Sequence, residues 1–225
     1  MRIALALLWA LALSLCNWVY LARAKVIEAE GFSEKVKAVL NCRSLIKIYT
    51  AVSFLALAFL VIWQEVFMAT PRTFLLNLKY ITLIGILIPL AYEDFFIRRI
   101  SNKVVLAGFG LRAVFYALEA IFCTSTFWAT FKQSLMGLLV GVVFLIIGSF
   151  IIRNGIGMGD VKMLMLMGIF EGLYSVMTSI FFSLLISFFV AIIALIRKTK
   201  NRKDSLPFAP CVLIGTFLSM VLTTV

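Results

Sequence analysis

No histidine occurs anywhere in this chain. Its absence removes every Ser-His-Asp, Cys-His and histidine-metal mechanism at once. Cysteine is scarce. Cys16, Cys42, Cys123 and Cys211 stand far apart with no C-x-x-C pair, which argues against a zinc module or a dithiol redox motif. Acidic residues are also few, 10 against 21 lysines and arginines, so each carboxylate is worth locating. The basic residues are dispersed rather than gathered into one basic domain, so no nucleic-acid partner is expected. Internal repeats and low-complexity linkers are missing as well. Any catalysis here has to rest on carboxylates, lysine, tyrosine or serine, and no metal or other cofactor is expected.

Apolar residues are abundant. They make up 64% of the chain, and the mean hydropathy is +1.12, far above that of a soluble domain. Several apolar runs reach the length of about 20 residues that a helix needs to cross a bilayer. An all-α polytopic membrane protein is therefore expected, not a β-barrel with alternating strands of about 10 residues. Eight spans are predicted: Ile3–Leu21, Ile46–Val66, Thr73–Tyr92, Val104–Phe122, Ser134–Ile152, Val161–Tyr174, Ser175–Ile196 and Phe208–Val225. The sixth is short and runs into the seventh through a tight turn at Glu171-Gly172.

Charge orients these spans. One alternating topology puts 23–47, 93–103, 153–162 and 197–203 on one side. Of the basic residues, only Arg2, Arg72, Lys79, Arg112 and Lys132 lie outside those segments. The positive-inside rule makes the rich side cytoplasmic, and the same charge attracts anionic lipid. Arg2, an apolar run and Ala22-Arg23-Ala24 look like a signal peptide with an A-x-A cleavage site. Cleavage would leave the basic 23–47 segment outside, so residues 3–21 are expected to stay as a span. Segment 23–45 reads either as an amphipathic stretch lying on the membrane surface or as a solvated connector.

Two acids share one description. Asp94 follows the apolar run Ile81–Tyr92 and precedes Arg98-Arg99. Asp160 ends Gly155-Ile156-Gly157-Met158-Gly159 and precedes Lys162. A carboxylate at the edge of a membrane span is costly and marks a candidate functional site. The topology puts both on the cytoplasmic side, where they can form one site. The glycines allow unusual φ/ψ and close approach of another backbone. A position in the first turn of a helix favours ionised Asp160, whereas a neighbouring carboxylate opposes it, so the pair can share one proton. That state suits an aspartic protease. The plain alternative is that Asp160 caps a helix and Asp94 pairs with Arg98 or Arg99. Arg112 and Glu119 lie two helical turns apart. They are expected to find other partners, Glu93 or Glu171, or to snorkel. Phe181, Phe182, Phe188 and Phe189 read as lipid-facing or packing surface.

Three motifs then resemble one family, the type IV prepilin peptidases. Asp94-Phe95-Phe96-Ile97-Arg98-Arg99-Ile100-Ser101-Asn102 resembles that family's first aspartate motif, an Asp followed by basic residues and I-P-N. Gly157-Met158-Gly159-Asp160-Val161-Lys162 is similar to its G-M-G-D-[VI]-K. Leu206-Pro207-Phe208-Ala209-Pro210 with Gly215 resembles its P-F-G-P…G. Ser101 replaces a proline and Ala209 a glycine.

The resemblance implies a membrane-embedded aspartic endopeptidase of the bacterial cytoplasmic (inner) membrane. Such an enzyme cuts the basic leader from prepilins or pseudopilins at the cytoplasmic face, usually after a glycine. It implies catalytic roles for Asp94 and Asp160. Gly157, Gly159, Lys162, Arg99 and Asn102 would support the site or orient substrate, and Pro207 and Pro210 would start the last helix. A six-helix peptidase core over 73–225 would follow two N-terminal helices over 1–72. Long members of the family carry a methyltransferase domain between the first two spans, often with paired C-x-x-C motifs. Residues 23–45, with Cys42 alone, take that place, so methyl transfer is not expected. Two other readings stay open. A presenilin-like protease also uses G-x-G-D, but it has Y-D and P-A-L, and here Glu93 separates Tyr92 from Asp94. A proton-coupled transporter would use the two acids as a relay, but such folds show repeats and midplane polar sites.

Overall fold

The computed structural model describes residues 2–23, 44–66, 74–151, 157–197 and 206–222. Among them it is all helical: α1 Arg2–Leu21, α2 Ser44–Val66, α3 Phe74–Ile97, α4 Asn102–Phe122, α5 Thr124–Ile151, α6 Met158–Glu171, α7 Leu173–Ile196 and α8 Ala209–Leu222. Six of these are long and apolar enough to cross a membrane; α8 is a shorter apolar helix, and α6 has 14 residues. The protein is thus a polytopic helical membrane protein. The expected amphipathic stretch at 23–45 falls, apart from its ends, outside the described residues.

Two helix ends differ from the sequence reading by five residues or more. α3 continues past Tyr92 to Ile97, which puts Asp94 inside a helix rather than just beyond one. α5 starts at Thr124, ten residues before the expected Ser134. In both cases the expectation followed hydropathy, whereas a helix continues through polar residues as long as its backbone bonds are made.

The chain divides into two compact units, Met1–Pro89 and Leu90–Val225. In the first, α1 buries Ala6, Ala10, Ser14 and Asn17 and exposes Leu5, Leu8, Leu11 and Leu15. Small and polar residues face inward and leucines face outward, which is the pattern of a helix solvated by lipid. Pro89 lies inside α3 and has no N–H for the Gly85 carbonyl. Asn17 Nδ2 donates to that carbonyl at 2.8 Å, satisfying a group that hydrocarbon cannot. Trp9 Nε1 donates to Thr82 Oγ1 at 2.9 Å, and the Tyr49 hydroxyl to the Ile88 carbonyl at 2.7 Å.

In the second unit, α5 and α6 touch backbone to backbone. A Cβ on Gly168 would collide with the Gly137 carbonyl, and one on Gly137 with that of Gly168. Gly172 alone joins α6 to α7. Its φ of 81° belongs to glycine, and its N–H closes on the Gly168 carbonyl at 2.9 Å. Further along, Gly215 of α8 lies against Ser183 of α7, and Thr178 shares a 2.9 Å hydrogen bond with Ser219. Phe181, Phe188 and Phe189 are exposed along α7, as a lipid-facing surface requires.

Candidate active site

All of the site belongs to the second unit. Asp94 stands one turn before the end of α3, and its carbonyl accepts the Arg98 N–H at 3.1 Å. Arg98 stops the helix in the left-handed region, at φ 58°, a conformation that costs a non-glycine residue about 1–3 kcal/mol. The chain then turns through Arg99, Ile100 and Ser101 into α4.

Asp94 is only 8% exposed, and its Oδ2 accepts the backbone N–H of Ala209 at 2.9 Å. Ala209 is the first residue of α8, where backbone N–H groups have no partner within the helix. The third motif therefore reaches the first aspartate through a backbone donor. Pro210 follows at a position where another orphan donor would stand, so its missing N–H costs nothing there. The Pro207 carbonyl takes the Cys211 thiol at 3.8 Å. Both prolines shape the start of α8 and do not line the cleft described below.

Asp160 sits in the first turn of α6, ahead of the predicted sixth span, with its N–H on the Gly157 carbonyl at 3.0 Å. Its carboxyl is raised from 3.8 to about 6. Burial is the main cause, the charge of Asp94 adds to it, and the backbone of Gly157 opposes both. Desolvation thus outweighs the helix-terminus effect that favours the ionised form. The glycines provide room rather than unusual torsions. Gly157 is extended at φ −64°, ψ 134°, and Gly159 is helical. A Cβ on Gly159 would come within 2.8 Å of Ile100, and one on Gly157 within 3.2 Å of the Asp160 carboxylate.

Asp94 and Asp160 line the same open cleft of about 320 Å³. Arg98, Arg99, Asn102 and Lys162 line it too, so two carboxylates and three cations share one open space. Lys162 Nζ donates to Asn102 Oδ1 at 2.9 Å, tying the start of α4 to α6. Of the residues singled out from sequence, Asp94, Arg99, Asn102, Gly157, Gly159, Asp160 and Lys162 come together here. The Ala209 N–H was missed. It left only an indirect sign in the sequence, a position between two prolines.

The expectation for Arg112 and Glu119 is overturned. Arg112 Nη1 and Nη2 donate to the two Glu119 oxygens at 2.9 and 3.2 Å. Seven residues make two turns, about 10.5 Å of rise on one face, and two long side chains reaching toward each other span it without a bend.

Fold and cleft together define a class: a multi-pass helical membrane protein with a carboxylate pair at the ends of two helices. Comparison with known proteins gives the family. The type IV leader peptidase family matches residues 81–196, just over half of the chain, and the chain belongs to it. The matched stretch contains both Asp94 and Asp160. The prepilin leader peptidase/N-methyltransferase of Bacillus subtilis (strain 168) is 26% identical over 139 residues, 62% of this chain and 53% of that protein. The chain thus spans about half the length of this curated relative. No solved structure matches.

Proposed function

We propose that the protein is an aspartic endopeptidase that removes the basic leader from type IV prepilins or pseudopilins. The observation that carries this reading is the sharing of one open cleft by Asp94 and Asp160, in a chain of the leader peptidase family. Asp94 Oδ2 takes an N–H from Ala209, and Asp94 is given the role of general base. Asp160, raised to about 6, holds one through mildly acidic pH. Asp94 then draws a proton from a water as the water's oxygen attacks the scissile carbonyl. Asp160 donates its proton to the carbonyl oxygen as the tetrahedral intermediate forms. Collapse of the intermediate breaks the C–N bond, Asp94 hands its proton to the leaving amine, and Asp160 recovers its own.

The cleft is open, as a peptide entering in extended form requires. Gly157 and Gly159 keep that entrance free of side chains, and Arg99, Asn102 and Lys162 orient the substrate or hold the walls. Residues 73–225 form the peptidase core, after two N-terminal helices over 1–72. The active site lies at the cytoplasmic face of the inner membrane, as the distribution of basic residues favours. Methyl transfer to the new N-terminus is not assigned to this protein, because segment 23–45 offers Cys42 alone. The test is cleavage in detergent of a prepilin-like protein with a basic leader, a glycine before the scissile bond and an apolar helix after it. A cut after the glycine, lost in Asp94→Asn and in Asp160→Asn, is expected. Full activity in either variant would overturn the assignment.

A further inference from the structure

The second unit holds a charged cluster that the cleft does not use. Arg112 is 0% exposed. Besides its double bond to Glu119, its Nη2 donates to Ser134 Oγ at 3.2 Å and its Nε to the Ile169 carbonyl at 2.9 Å. Its guanidinium lies 3.7 Å from the centre of the Tyr116 ring. Ile169 is in the last turn of α6, where carbonyls have no partner within the helix and a cation is favoured. Arg112 therefore binds α4, α5 and the C-terminal end of α6 in one contact.

The other end of α6 carries Asp160 and is tied to α4 by Lys162 and Asn102. Asn102 and Arg112 are ten residues apart on α4; Lys162 and Ile169 are seven apart on α6. Two contacts at different heights, one buried at Arg112 and one exposed at Lys162, oppose sliding and rotation of α6 along α4. Ile100, seated on Gly159, adds a third contact beside the exposed one, and Asp94 lies a few residues ahead of it on the chain.

We propose that Arg112 and Glu119 are positioning residues: the buried pair fixes the register of α6 against α4 and so holds Asp160 opposite Asp94. This rests on the peptidase reading above. A buried ion pair is a poor way to gain stability, since apolar residues of similar volume often do as well or better. What such residues cannot supply is a directed bond to one carbonyl of α6, and that bond sets a register.

The test replaces the pair by Arg112→Met/Glu119→Met, and separately makes Arg112→Lys, which keeps a cation for the Ile169 carbonyl and for Glu119. Three readouts are taken: thermal unfolding in detergent, cleavage of the prepilin-like substrate, and carbodiimide labelling of Asp160 against pH, read by mass spectrometry. The Met/Met protein is expected to fold, to lose between about tenfold and a hundredfold in kcat with KM little changed, and to label Asp160 with a midpoint below that of wild type. Arg112→Lys, which keeps the charge but not the guanidinium fork, is expected to recover part of both properties. A folded Met/Met protein with wild-type kcat and labelling would overturn the proposal. Failure of both variants to fold would overturn it too, because the pair would then serve the fold as a whole. If wild type itself cleaves nothing while the labelling shift is seen, the peptidase reading fails and the register role stands.

Discussion

The two ends of α6 handle charge in opposite ways. At the C-terminal end, Arg112 is wholly buried and its donors are spent on Glu119, Ser134 and the Ile169 carbonyl. At the N-terminal end, Asp160 sits in an open cleft, near enough to Asp94 for the second charge to push its carboxyl upward. Arg112 is satisfied, whereas Asp160 is held in tension. Satisfied charge is structure. A carboxylate kept short of its ordinary ionisation is available for chemistry.

The largest expected effect falls at the tense end. Asp160→Asn should lower cleavage at least about a thousandfold, with the thermal midpoint kept or raised, in a side-by-side assay of activity and unfolding. A loss of fold in parallel with activity would erase the contrast between the two ends. Glu119→Ala does the reverse. It strands a buried guanidinium and should cost about 3 kcal/mol of stability, measured by denaturant unfolding in detergent. A neutral result would mean that water or another group takes the place of Glu119.

pH sharpens the comparison. Folding raises the Asp160 carboxyl from 3.8 to about 6, so the folded state prefers it protonated. The resulting stability is fully present below about 3.8 and is lost as pH rises through about 6. Asp160→Asn should therefore melt above wild type at pH 8 and level with it at pH 4. Cleavage by wild type should fall as pH rises past about 6, when the shared proton leaves. A rate that instead climbs from pH 6 to 9 would contradict the role given to Asp160.

Two smaller effects concern the frame. Gly168→Ala should cost about 1–3 kcal/mol, because its methyl would meet the Gly137 carbonyl. Arg98→Gly should release about 1 kcal/mol of strain at φ 58°, less whatever its side chain contributes, and thermal unfolding reads both.

Much of this was legible in the sequence. The lipid-spanning helices follow from long apolar runs, and the two acids from their place at the edges of those runs. The Gly172 turn also follows, since a glycine between two apolar stretches had little else to do. The missed parts have physical reasons. The span expected from Ser134 begins at Thr124, with Lys132 and Gln133 inside α5, because polar side chains do not stop a helix whose backbone bonds are made. The Ala209 N–H is a donor that every residue except proline carries, so no residue type announces it. Arg112 and Glu119 were kept apart by counting turns alone. Side-chain length decided the matter.

The Gly172 turn also bears on how the protein enters its membrane. With one residue between α6 and α7, neither helix can be threaded without the other. α6 is short and carries Asp160, Lys162 and Glu171, whereas α7 is the most apolar of the six candidate spans. That disparity favours insertion of the pair as one unit, with α7 supplying the apolar length that α6 lacks. A chain truncated before α7, with its own cysteines replaced and one cysteine added at its new end, should leave that end accessible to an impermeant thiol reagent from the side on which α6 begins.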